Sequence, residues 1–148
     1  MLHVTLIACG RLKEKYLKDA VAEYEKRLKG YTVLEIKELP DGPDPQAEAL
    51  RIRQALPEDA FIVTLEIEGR ELSSEEFSKS IEKLMTDGVS HICFITGGSD
   101  GIDPSVTDKA DMHLSFSRMT FPHQLMRVIF LEQLYRAFKI MKGEPYHK

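Results

Sequence analysis

The polar and apolar positions of this 148-residue chain fall into an alternation of short buried runs and longer amphipathic ones. His3 to Cys9 is a near-continuous apolar run ended by Gly10, the pattern of a strand buried on both faces. Lys15 to Leu28 recurs at helical spacing, with Tyr16, Ala20, Tyr24 and Leu28 on one face and most of the lysines off it; Gly30 stops it. Thr32 to Leu39 alternates and predicts a second strand, less buried on one face. The cluster Pro40 to Pro45 predicts a turn, and Ala47 to Leu56 a short helix. Ala60 to Ile67 reads as a third strand, with Glu68-Gly69-Arg70 as the turn after it. Ser73 and Glu76 have the spacing of a capping box and open a helix that runs to about Thr86, before Gly88. His91 to Thr96 is a fourth strand, followed by the loop Gly97-Gly98-Ser99-Asp100-Gly101. A short helix over Pro104 to Ala110 and a fifth strand over Met112 to Phe116 complete the series.

The last stretch organises the rest. A polar loop, Ser117-Arg118-Met119-Thr120, leads into a long helical pattern at Phe121-Pro122 that ends at Gly143. Pro122 suits a first helical turn, and Thr120 is placed to cap it. Met126, Ile129, Phe130, Leu134, Ala137, Phe138 and Met141 form one apolar face, and Leu125, Val128, Leu131 and Tyr135 add apolar surface around it. A helix apolar over most of its circumference is buried on more than one side, and in a chain this short the second side suggests a partner subunit.

Strands alternating with helices predict an α/β domain with a mainly parallel sheet covered by helices on both faces. One domain over residues 1–148 is expected, with no internal repeat. A composition of 43% hydrophobic and 30% charged residues excludes the disordered and fibrous classes. No apolar run is long enough to span a bilayer, and the start lacks the basic segment of a secretory signal, so the expectation is a cytoplasmic protein without membrane association. The two cysteines, Cys9 and Cys93, lie in apolar runs and read as reduced core residues. No Cys/His spacing suggests a metal.

Charge is unevenly spread. Residues 1–30 carry seven basic and four acidic side chains, residues 31–111 seven and eighteen, and residues 112–148 six and two. The segments are therefore +3, −11 and +4, and an anionic partner would meet the two ends of the chain.

In a parallel sheet, ligands bind beyond the carboxyl ends of the strands. Three loops leave such ends: Glu66 to Gly69, Gly97 to Gly101, and Ser117 to Thr120. The glycine loop matches neither the dinucleotide fingerprint nor a Walker loop, and by itself reads first as a tight strand-to-helix turn. Phe116 and Phe121 flank the third loop, where two rings can hold a purine or belong to the core. His123 stands in the first turn of the last helix, one turn from Arg127. The terminal Tyr146-His147-Lys148 brings groups able to stack, hydrogen-bond and contact phosphate to an end that is normally frayed.

The segments GGSDG, LSFSRMTFPHQLMRVIFLEQLYRAFKI and the terminal PYHK resemble the RlmH family, bacterial rRNA methyltransferases of the SPOUT class that act on N3 of a pseudouridine. The likeness runs the whole length, from LIACGRLKEKYLKDAVAEYEKRL onward, with a shorter stretch after Pro40 than in several members. The resemblance implies a deep C-terminal trefoil knot, S-adenosyl-L-methionine as cofactor, a homodimer, and 23S rRNA within assembled 70S ribosomes as substrate. By motif it implies cofactor contacts at Leu65, Gly97 and the run Phe116, Ser117, Arg118, Met119, Thr120 and Phe121. His147 or His123 would serve as general base, Arg127 and Arg136 would orient phosphate or base, and Tyr146, His147 and Lys148 would meet the RNA. Two other readings stand beside it: a non-catalytic ribosome-binding protein on the same fold, and an unrelated α/β nucleotide-binding module.

Overall fold

The computed structural model describes residues 1–148. Five strands, β1 (His3–Cys9), β2 (Val33–Leu39), β3 (Phe61–Glu71), β4 (His91–Thr96) and β5 (Met112–Ser115), form one sheet in the order β2-β1-β4-β3-β5. Every pairing is parallel. Helices α1 (Lys15–Leu28), α3 (Ser74–Thr86) and α5 (His123–Met141) pack together on one face; α2 (Pro45–Ala55) and α4 (Pro104–Thr107) cover the other.

The period-two alternation of the central strands sorts the two cores. Val4 and Leu6 of β1 and Ile92 and Phe94 of β4 face α1, α3 and α5, where Phe130, Leu134 and Phe138 meet them. Ile7 and Cys9 of β1 and Cys93 and Ile95 of β4 face α2 and α4, against Ala49, Ile52 and Val106. Both cysteines are buried and unpaired, and burial pushes their thiols up to about 11 for Cys9 and about 12 for Cys93. The capping box at the start of α3 is formed in full: the Glu76 amide donates to the Ser73 hydroxyl at 3.1 Å and the Ser73 amide to the Glu76 carboxylate at 2.8 Å.

Four local expectations are revised. The segment Glu68-Gly69-Arg70 is not a terminal turn, because β3 continues to Glu71. Leu65 and Arg70 both register with Leu114, so residues 66–69 bulge out of the ladder and return to the same place on β5. A Cβ on Gly69 would lie 2.7 Å from the Leu114 carbonyl carbon, so glycine is what lets the two backbones touch there. Thr120 does not cap α5: Pro122 holds an extended conformation, occupies the cap itself, and takes the Met126 amide on its carbonyl at 3.0 Å. Helix α2 begins at Pro45 rather than Ala47, because Asp44 caps it and proline fits its first position. Tyr16, placed by periodicity on the inner face of α1, is 68% exposed; Leu17, Val21 and Leu28 make the buried seam.

Candidate active site

The three strand-end loops converge on one cleft of about 890 Å³. The bulge after Leu65 forms one wall, the glycine loop after β4 forms the floor, and the segment from Phe116 to the first turn of α5 forms the other wall. The glycine loop folds tightly back on itself. Gly98 and Gly101 form an isolated bridge, Gly101 holds a left-handed φ of +84°, and a Cβ on Gly97 would sit 2.4 Å from the Gly101 carbonyl oxygen.

The structure gathers Leu65, Gly97, Phe116, Ser117, Met119, Thr120 and Phe121 around the cleft, together with His123. Arg118 is not among the lining residues. Its side chain points to solvent and pairs with Glu71 at 3.4 Å. The Phe116 ring turns to the core, stacked on Phe130 at 6.3 Å and edge-on to Phe77 at 5.9 Å, while Phe121 has no ring partner. The Met119 amide donates to the Ser117 hydroxyl at 3.0 Å, which holds the loop in a tight turn.

Sequence reasoning passed over the charge of this cleft and one buried hydroxyl. The lining includes the carboxylates of Glu66, Glu68 and Asp100 and no lysine or arginine. Glu66 is held by the Thr64 hydroxyl at 2.6 Å and the His113 imidazole at 2.5 Å. At the end of β4, Thr96 lines the cleft with a buried hydroxyl that has no hydrogen-bond partner. Strand alternation makes every second residue of an apolar strand look alike, so no sequence signal separates Thr96 from a β-forming core threonine.

Arg127 points away from the cleft, into the protein. It is 2% exposed and donates to the Cys9 carbonyl at 2.7 Å, to the Gly10 carbonyl, and to Glu38 at 3.0 Å. Glu38 also accepts the Leu12 amide at 3.0 Å. Gln124 completes the clamp, accepting the Lys13 amide at 3.3 Å and donating to the Arg11 carbonyl at 3.0 Å. The turn after β1 is thus fastened to the first turns of α5.

The C-terminal residues fold back on α5. Gly143, with φ +63°, ends the helix as its amide donates to Ile140 and the Glu144 amide donates to Lys139, both at 3.0 Å. Glu144 then takes the Tyr31 hydroxyl at 3.0 Å and Lys139 at 3.2 Å. The Tyr146 hydroxyl donates to Glu132 at 2.7 Å, and burial followed by that bond raises its phenol to about 12, so it stays protonated at neutral pH. Arg136 bonds Glu132 at 3.0 Å and His147 at 3.0 Å, and lies over the Tyr146 ring at 4.8 Å. His147 also meets Glu75, whose carboxyl it holds below the usual range. Lys148 is exposed at the end of the chain. Arg136 is ten residues past Met126, the last residue of α5 to line the cleft, roughly 15 Å along the helix at its usual rise.

Comparison with known proteins places the chain in a family. Residues 2–147 match the model of a family described as predicted SPOUT methyltransferases. The chain belongs to that family, whose members transfer methyl groups and generally use S-adenosylmethionine. It is 50% identical to the ribosomal RNA large subunit methyltransferase H of Bifidobacterium adolescentis, over 99% of this chain and all of that protein. It is 46% identical to the protein of the same name from Bacillus pumilus, with the same coverage. Among solved structures, a probable methylase family protein from Haemophilus influenzae shares the fold with a TM-score of 0.58 at 14% identity, over 99% of this chain and 70% of that one.

Proposed function

We propose that the protein methylates large-subunit rRNA at N3 of a pseudouridine in the assembled 70S ribosome, with S-adenosyl-L-methionine bound in the cleft. The observation that carries the cofactor assignment is the charge of the lining. Three carboxylates and no lysine or arginine suit a sulfonium cation and are hostile to the phosphates of a dinucleotide or a nucleoside triphosphate. Thr96 supports the fit, since a buried hydroxyl without a partner costs free energy that a ligand recovers by bonding to it. Phe121 offers a free ring for the adenine, and the folded Gly97–Gly101 backbone lets a ligand approach closely. The names of the relatives from Bifidobacterium adolescentis and Bacillus pumilus support rRNA as the substrate. A trefoil path of the C-terminal segment, which the family resemblance implies, is part of the same proposal.

The sulfonium supplies an activated methyl group when bound. The chain's own task is to place the nucleophilic nitrogen in line and to receive its proton. His123 is the imidazole that lines the cleft within one protomer. His147 and Tyr146 lie with Arg136 about 15 Å along α5, so they meet a cleft-bound base only from a second copy or after undocking. We assign the protein as a homodimer on this ground, and because Leu125 and Met119, beside the cleft, leave apolar surface exposed at 38% and 74%. Arg136 and Lys148 then face RNA beside the tail, while Arg127 acts as a positioning residue.

The test is transfer of labelled methyl groups to 70S ribosomes, separated subunits and protein-free rRNA, all lacking the modification. Label confined to 70S particles and mapping to a pseudouridine N3 is the expected result; label on none of them, with cofactor binding intact, would refute the substrate. In the same assay His123→Ala and His147→Ala should separate the base. The true base loses about 100-fold or more in kcat, and the other keeps kcat within a few-fold.

Thr96→Val removes the unpaired hydroxyl at nearly constant volume. Affinity for S-adenosylhomocysteine should fall roughly five-fold, the size of one neutral hydrogen bond. The free protein should melt no lower than wild type, because no internal bond is lost. Unchanged affinity by calorimetry would show that the hydroxyl does not reach the ligand.

A further inference from the structure

We propose that the turn after β1 and the start of α1, carrying Arg11, Lys13, Tyr16 and Lys18, is the surface on which the rRNA backbone lies as its target base enters the cleft. This rests on the rRNA reading above. The backbone of the turn is immobilised from three sides. Arg127 holds the Cys9 and Gly10 carbonyls, Glu38 holds the Leu12 amide, and Gln124 holds the Arg11 carbonyl and the Lys13 amide. Yet Arg11, Lys13 and Lys18 are exposed and enter none of the chain's ion pairs. Cations left unneutralised on a fixed frame are the arrangement that binds phosphate at low ordering cost.

Their location gives them a direction. Lys13 lines a polar recess of about 310 Å³ that shares Ser99, Asp100 and His123 with the cleft, so the basic turn forms one lip of the site. The rest of that recess carries Asp41, Asp44 and Glu48, which repel a polyanion. The strand is therefore steered over the α1 side. Tyr16, 68% exposed within this run, presents a ring on which an unpaired base can stack.

The experiment compares wild type with the triple variant Arg11→Ala, Lys13→Ala, Lys18→Ala and with Tyr16→Ala, using unmodified 70S ribosomes and a range of salt. The triple variant should bind S-adenosylhomocysteine as wild type does and raise KM for ribosomes at least ten-fold. Its dependence of log kcat/KM on log salt should be shallower by about two, since each phosphate contact contributes roughly 0.7–0.9. Tyr16→Ala should raise KM with the salt slope unchanged, and a triple Arg/Lys-exchanged variant should recover activity. Lys83→Ala on α3 serves as the neutral control. A triple variant with wild-type KM and salt slope overturns the proposal while leaving the methyltransferase reading intact. A wild type that labels no ribosome overturns both.

Discussion

Replacing Arg127 with methionine should lower stability by about 2–4 kcal/mol, since the Cys9 and Gly10 carbonyls lose a buried donor and an unsatisfied buried group costs about 1–3 kcal/mol. In a domain of this size that lowers Tm by roughly 10 °C, at about 2–4 °C per kcal/mol. The arginine is 2% exposed, and its loss leaves the Cys9 and Gly10 carbonyls without its guanidinium, while the Glu38 carboxylate, its side chain 35% exposed, keeps water and the Leu12 amide. Glu38→Gln should cost less, because the Leu12 amide and the guanidinium keep an oxygen to bond. The two effects should not add, since both residues belong to one network. Thermal unfolding of the two single variants and the double variant checks this. An Arg127→Met protein that melts within two degrees of wild type would mean that the clamp carries little of the fold.

Gly97→Ala is the variant expected to damage ligand binding most. Its methyl group would lie 2.4 Å from the Gly101 carbonyl oxygen and 2.6 Å from its carbonyl carbon, so two segments of backbone must part by about 1 Å to restore ordinary contact. Overpacking of this kind costs about 1–3 kcal/mol. Where the bound loop must keep its folded shape that strain opposes binding, and S-adenosylhomocysteine affinity should drop roughly 5- to 150-fold, at about 1.4 kcal/mol per ten-fold. Gly98→Ala is the contrast, meeting first the Glu48 carboxylate at 3.1 Å, a flexible end that can move. It should bind within a few-fold of wild type. Equal affinities for the two variants would show that the folded loop does not shape the site.

Local signals carried much of this architecture. The capping box at Ser73 and Glu76, the apolar run His91 to Thr96 and the stop at Gly143 each act over a few residues, and each element appears where periodicity puts it. The cleft was legible in the same way, because three loops at strand ends converge wherever strands are parallel. Long-range placement was not. Nothing near Arg127 indicates that its partners are Cys9, Gly10 and Glu38, about ninety residues or more away in sequence. The periodicity of α1 counts Tyr16 as inner because an aromatic looks apolar, but the helix seam passes through Leu17 and Val21. The turn expected at Gly69 misled for a related reason: glycine marks a close approach of β5, which no local pattern contains.

The strand order also governs when the sheet can exist during synthesis. The first strand made, β1, lies between β2 and β4, and its partner for His3 on the second side is His91. At roughly 5–20 residues per second, β1 waits on the order of 4–18 seconds for that edge to be covered. In the interval a pair formed by β1 and β2 presents Leu6 and Ile7 beside an open edge, a template for another nascent chain. The protein is therefore most vulnerable to misassembly until its ninety-first residue of 148 is made, and chaperone dependence should track translation speed over its first ninety codons.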